Sequence, residues 1–202
     1  MKKLVIVFIL TSSSIFAQID ITGGMGINMV YSSSFTDYVN NNFAQADPLP
    51  SFKSTGEFFI EADYTLKQNF QIGMEYSFSL FSYNTPLLGG SYEISYTHYK
   101  PSLLAYYVIS GEGYKIKFGG GIGYRYVSLD ERILGATNYS TSGFGLLLRM
   151  QGHTLLSGNL YANIGGDLRN DFLGEIQNSN NGQNYNLNSL SAGIRLGISY
   201  SF

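Results

Sequence analysis

Residues Ser191 to Phe202 read SAGIRLGISYSF, and from Ala192 onward every second residue is apolar: Ala192, Ile194, Leu196, Ile198, Tyr200 and Phe202. The intervening positions Gly193, Arg195, Gly197, Ser199 and Ser201 are small or polar. A period of two is the signature of a β-strand with one face in an apolar medium and one in a polar medium. It does not by itself say whether the apolar medium is a protein core or lipid.

The same alternation recurs upstream and predicts eight strands in all, with no convincing helical stretch. Residues 19–31 set Ile19, Ile21, Met25, Ile27, Met29 and Tyr31 against Asp20, Thr22 and Asn28. Residues 56–66 set Phe58, Ile60, Ala62, Tyr64 and Leu66 against Glu57, Glu61, Asp63 and Thr65, and residues 70–80 set Phe70, Ile72, Met74, Tyr76, Phe78 and Leu80 against Gln71, Glu75, Ser77 and Ser79. In residues 97–109, Lys100, Ser102 and Tyr106 share one parity, and Pro101, which cannot donate to a ladder, predicts a break or bulge. Residues 114–127 alternate Lys115, Lys117 and Arg125 with Ile116, Phe118, Ile122, Tyr124 and Tyr126. Arg149 in 142–154 and Asn163, Asp167 and Arg169 in 159–169 oppose Leu146, Leu148, Ile164 and Leu168.

The connections alternate in length. Residues 32–54, 82–95, 128–141 and 170–188 are long and rich in Asn, Ser, Gly and Pro, whereas 67–69, 110–113 and 155–158 are short. This is the pattern of an antiparallel up-and-down barrel with tight turns at one end and long loops at the other. The loop 32–54 carries Phe35, Tyr38, Phe43, Pro48 and Pro50 amid polar residues, and 177–188 reads as a mobile hydrophilic loop.

Residues 1–17 have the layout of a secretory signal peptide: Lys2 and Lys3, an apolar run from Leu4 to Leu10, then small residues up to Ala17. The expected division is therefore a leader at 1–17 and a barrel at 18–202. Of 12 basic side chains, Lys2 and Lys3 leave with the leader, so ten face 14 acidic ones. No basic stripe exists to displace counterions, so a nucleic-acid partner is not expected. Cys is 0, so the exported chain must be stabilised without disulfides.

A soluble ligand-binding barrel would show the same periodicity with the apolar parity inside. Four features favour the opposite orientation. Gly and Ser accompany the charges on the polar parity, aromatics gather near strand ends, loop lengths segregate by end, and the last quoted residue is an aromatic in the apolar register. With these, the chain resembles the small eight-stranded outer-membrane barrels of the OmpA, OmpX and OmpW type. That resemblance implies an all-β transmembrane barrel of the bacterial outer membrane, with lipid and lipopolysaccharide around it and a monomeric state. It also implies that Tyr200 and Phe202 are the signal read by the barrel-assembly machinery. The absence of Trp departs from many such proteins, though Tyr can fill the girdles.

Directing one parity inward collects Asp20, Glu57, Glu61, Asp63, Glu75 and Asp167 with Lys100, Lys115, Lys117, Arg125, Arg149, Arg169 and Arg195. Charges removed from water must be paired, so these residues predict an internal salt-bridge network. About eight strands give an interior that side chains can fill. Two histidines and no cysteine supply no metal-ligand cluster, and no cofactor is expected. His98, with Glu93 upstream and Ser102 downstream, has the composition of a triad like that of outer-membrane enzymes acting on lipid A. Their motif, however, keeps Ser two residues after His, where this chain has Lys100. A structural role for His98 and for His153 outranks a catalytic one. The leading expectation is a non-enzymatic barrel serving envelope integrity or surface interaction through its loops, with a ligand at those loops. A narrow channel in the OmpW manner is the alternative, and a lipid A-modifying enzyme is the second.

Overall fold

The computed structural model describes residues 19–44, 47–87, 90–133, 135–178 and 182–202. The expected leader at 1–17 lies outside them. Eleven strands and one helix follow in chain order: β1 (Ile19–Tyr31), α1 (Ser33–Asn42), β2 (Phe52–Lys67), β3 (Phe70–Leu87), β4 (Gly90–Tyr99), β5 (Ser102–Gly111), β6 (Tyr114–Arg132), β7 (Ala136–Ser157), β8 (Leu160–Leu173), β9 (Glu175–Gln177), β10 (Asn184–Asn186) and β11 (Ser189–Ser201).

The main sheet closes on itself. β1 pairs antiparallel with both β2 and β11, from Asp20 opposite Ser201 to Tyr31 opposite Leu190. β4 and β5 are two halves of one staves' width: both pair with β3 on one side and β6 on the other. The division falls at Lys100 and Pro101, and the Lys100 N–H still donates to the Ser77 carbonyl at 2.8 Å. Counting that pair as one gives eight staves, an antiparallel barrel without a free edge.

The three turns at one end are two residues long, and Gly113 between β5 and β6 has φ 75°, a conformation that L side chains rarely adopt. Within β6 the glycine run lies beside β5, and a Cβ on Gly119 would occupy the space taken by the Tyr106 ring. The run is a packing device for the barrel interior.

The opposite end differs from the sequence expectation in three respects. The described residues of 82–95 and 128–141 are mostly strand: β3 runs to Leu87 and β4 starts at Gly90, and β6 runs to Arg132 and β7 starts at Ala136, as tall hairpins. Residues 32–54 contain α1, although no helix is predicted there. The Ser- and Asn-rich segment has weak intrinsic helix propensity, and it is helical because Phe35, Tyr38 and Val39 bury one face against the barrel mouth. The expected mobile stretch 177–188 includes β10, which pairs with β9 and buries Tyr185, followed by buried Leu187.

Period two holds along the tall strands, but its chemistry inverts. The inward residues of β3 run Glu75, Ser77, Ser79 and then Phe81. Those of β4, read upward from the break, run His98, Tyr96, Ile94 and Tyr92, and those of β6 run Arg125, Val127 and Leu129. At the same height the outward face changes from apolar to Ser82, Asn84, Glu93, Asp130 and Arg132. Below the inversion the outside is apolar, with Met25, Ile27, Met74, Leu148 and Ile194 all more than half exposed.

Candidate functional site: an ionic lumen under an apolar lid

Every charged residue that the sequence assigns to the inner parity faces the lumen, arranged in three tiers. At the turn end, Lys115 lies 2.9 Å from Asp20, and Lys117 lies 3.3 Å from Asp20 and 2.7 Å from Asp63. Ser201 and Gln71 donate further hydrogen bonds to Asp20 at 2.7 and 3.0 Å.

The middle tier joins Glu57, Glu61, Glu75 and Asp167 to Lys100, Arg149, Arg169 and Arg195. Arg149 reaches Glu75 at 2.5 Å, Glu61 at 2.6 Å and Asp167 at 3.1 Å. Arg169 reaches Asp167 at 2.8 Å, Glu75 at 3.1 Å and Glu57 at 3.2 Å, and Lys100 lies 3.2 Å from Glu57. Arg195 sits 2.6 Å from Glu75, off the hydrogen-bond direction, with its guanidinium carbon 3.4 Å from the Phe59 ring centroid. It is held by charge and by the ring face together. In the upper tier Arg125 donates to Asp171 at 2.5 Å and to Ser102 at 3.1 Å.

Each tier carries equal numbers of acids and bases: two of each at the turn end, four of each in the middle, and one of each above. Neutral hydrogen bonds fill the gaps. The Tyr106 hydroxyl donates to Glu61 at 3.0 Å, Gln151 donates to Glu61 at 3.0 Å, and Asn28 donates to Glu57 at 3.1 Å. A charge-neutral, hydrogen-bonded filling lets ionised groups remain inside a narrow cylinder. Above the middle tier, a pocket lined by His98, Lys100 and Asp171 among others has a volume of about 10 Å³, room for about one water.

An apolar exterior around an ionic interior inverts the arrangement of a soluble domain. The fold has counterparts among solved structures. No protein-family model and no curated protein matches the chain. Neisserial surface protein A superposes with a TM-score of 0.64 at 13% identity, over 91% of this chain and 97% of that one. Ail of Yersinia pestis gives 0.58 at 12%, over 92% and 98%. The chain has the fold of the small outer-membrane β-barrel proteins.

In this outer-membrane barrel fold the lid is a second, separate packing unit. Phe35 of α1 meets Phe81 and Tyr96 edge to face at 6.0 and 5.9 Å, Tyr38 stacks on Tyr185 at 4.0 Å, and Phe43 stacks on Tyr92 at 4.1 Å. Among the rings one buried carboxylate, Glu131, gathers the lid's segments. It accepts from Tyr38 of α1 at 2.7 Å, from Tyr92 of β4 at 2.9 Å, and from the Asn178 amide after β9 at 2.9 Å. Burial, reinforced by the Glu131 carboxylate, pushes the hydroxyls of Tyr38, Tyr92 and Tyr185 above their usual range of ionisation. Lys53, also buried, donates to Thr36 at 2.7 Å and lies 5.6 Å from the Phe35 ring.

The histidines take structural positions. His98 faces the lumen, and its nearest carboxylate is Asp171, with Nε2 4.0 Å from Oδ2. Glu93 points outward and is 3.9 Å from Arg132, while Ser102 is engaged with Arg125. The triad composition seen in the sequence is therefore dispersed. His153 is buried near the turn end, within 3.1 Å of Gln151 and Asn163. Phe202 donates its N–H to the Ile19 carbonyl at 3.0 Å across the closing seam, and its ring meets Tyr200 at 4.8 Å.

Sequence reasoning missed Asp171, Glu131 and Lys53 because each falls within a stretch whose composition reads as loop. The missed signal was a change of phase. In SYEISYTHYK the inward parity carries Tyr92, Ile94 and Tyr96 before it carries His98 and Lys100.

Proposed function

We propose that this chain is a non-enzymatic protein of the bacterial outer membrane, turn end towards the periplasm, whose working surface is the lid above the bilayer. Lipid and lipopolysaccharide surround its apolar band, and the barrel-assembly machinery engages the β11 strand through Tyr200 and Phe202. The observation that carries this reading is the filled lumen: a charge-neutral network over the height of the barrel, closed above by an apolar core.

A channel in the OmpW manner needs an open path, and the packed tiers weigh against one. Lipid A chemistry needs a His, a hydroxyl and an acid together at the lipid face, and the inward His98 beside Asp171 weighs against that. Ail was crystallised with the heparin analogue sucrose octasulfate. This chain suits such a polyanion poorly: the exposed charges of its lid region are Asp37, Asp47, Glu93, Asp130 and Glu175 against Arg132, among the described residues.

Reconstitution of the purified protein into planar bilayers tests the reading. No stable unitary current is expected, and reproducible single-channel steps would replace it with the channel. Mass spectra of lipid A with and without expression should be identical. A change that His98→Ala abolishes would establish the enzyme instead.

A further inference from the structure

The lid carries an open polar groove of about 510 Å³ between α1 and the β9–β10 hairpin. Hydrogen bonds fasten the hairpin to the helix and fix the groove's width, the Asn178 amide donating to the Tyr38 hydroxyl among them. The Asn186 N–H donates to Ser34 Oγ at 3.0 Å, and Asn42 Nδ2 donates to Gln183 Oε1 at 2.8 Å. The stacked rings of Tyr38 and Tyr185 contribute to the lining. Along the helix side run Ser33, Asp37 and Asn41, four residues apart and so on one face, covering about 12 Å of helix length. All three are exposed, and none of their side chains has a hydrogen-bond partner among the described residues. The hairpin side offers Asn184, whose amide makes one long 3.4 Å contact with Glu175.

We propose that this groove binds a neutral oligosaccharide, an inference that rests on the lid being the working surface. A sugar hydroxyl both donates and accepts. Asn41 and Asn184 present amides that do the same, Ser33 presents a hydroxyl, and Asp37 presents acceptor lone pairs suited to two neighbouring hydroxyls. Among the described residues no Lys or Arg lines the groove, so sulfate and phosphate find no charged donor there. The uncompensated Asp37 carboxylate opposes sialylated sugars. The scarcity of apolar side chains in the lining leaves an acyl chain or an apolar peptide little to bury against. The fixed width matters as well, because a site held by its own hydrogen bonds loses little freedom when a ligand enters.

The full chain in detergent would be applied to an immobilised panel of neutral, sialylated and sulfated oligosaccharides that includes O-chain saccharides released from lipopolysaccharide. Retention by neutral members is expected, with at least a tenfold loss in an Asp37→Ala, Asn41→Ala double variant whose heat-modifiable gel mobility is unchanged. Retention confined to the O-chain members would identify the cell's own outer leaflet as the source, and retention by others an external glycan. Absence of neutral retention, retention only by sulfated or sialylated members, or retention that the variant leaves intact would overturn the proposal. A barrel that is silent in planar bilayers yet retains no neutral sugar overturns the groove alone, whereas unitary currents overturn the reading beneath it.

Discussion

The lower barrel and the lid are built from the same strands, yet they solve opposite problems. In the lower barrel Glu75, Arg149 and Arg169 are inside while Met25 and Ile194 are outside; a few residues higher, Phe81, Ile94 and Leu129 are inside while Asp130 and Arg132 are outside. The period of two is unchanged, and the solvent is what changes. An apolar exterior implies a surrounding without water, where only closed strand pairing satisfies the backbone. The interior must then hold the polar groups. Above that band water returns to the outside, and burial of apolar rings again stabilises the fold.

The two regions should therefore fail in different ways. The largest effect is expected from Glu75→Leu, which leaves three guanidiniums, Arg149, Arg169 and Arg195, without the carboxylate charge they share. Breaking a buried ion network from one side costs about 3–5 kcal/mol. Urea unfolding in lipid vesicles, read by gel mobility, should show that loss for the whole barrel. An unchanged midpoint would mean that the lumen network is not a unit.

Phe35→Ala should cost about 3 kcal/mol by opening a cavity, but only in the lid. Amide exchange should quicken in α1 and β10 while the amides of β1, β8 and β11 keep their protection. Uniform loss of protection would unite the two regions into one cooperative block. A smaller contrast is available on the outside: Met25→Arg, in the apolar band, should destabilise by about 2–4 kcal/mol in vesicles, and Asp130→Arg, above it, by less than about 0.5. Equal costs would erase the boundary between the regions.

This boundary also marks how far the sequence could be read. Eight staves and the inward parity of residues such as Glu57 and Arg195 are legible because a strand with one medium on each face alternates monotonously. The break at Pro101 is legible because proline lacks the donor that a ladder needs. Where the surrounding medium changes, alternation continues with its polarity exchanged, and a reader tracking apolar parity sees a loop. That is how Glu131 escaped, whereas Asp171 keeps the inward parity of Asp167 and Arg169 and escaped because the composition of 170–188 reads as loop. The helix α1 was hidden for another reason: its Ser and Asn residues give no local preference, and only the aromatic floor beneath Phe35 and Tyr38 makes it helical.

The smallest predicted effect concerns pH and belongs to the lid. Tyr38, Tyr92 and Tyr185 ionise less readily when folded, first because they are buried and then because Glu131 is near. Once the lid opens, each returns to the ordinary value near 10. The open form therefore holds fewer of these tyrosine protons than the closed form above about pH 10, and linkage makes their contribution to lid stability fall as pH rises beyond that point, whereas Lys53, whose burial lowers its ammonium to about 8, adds lid stability as pH rises from about 8 towards 10. Tyrosinate absorbance should accordingly rise in two stages, exposed rings first and these three only as the lid gives way, with barrel gel mobility retained throughout. Glu131→Gln removes the carboxylate's share but not the burial, so the second stage should move only partway towards the first. A shift that merges the two stages would show that the carboxylate, and not the apolar packing, is what closes the lid.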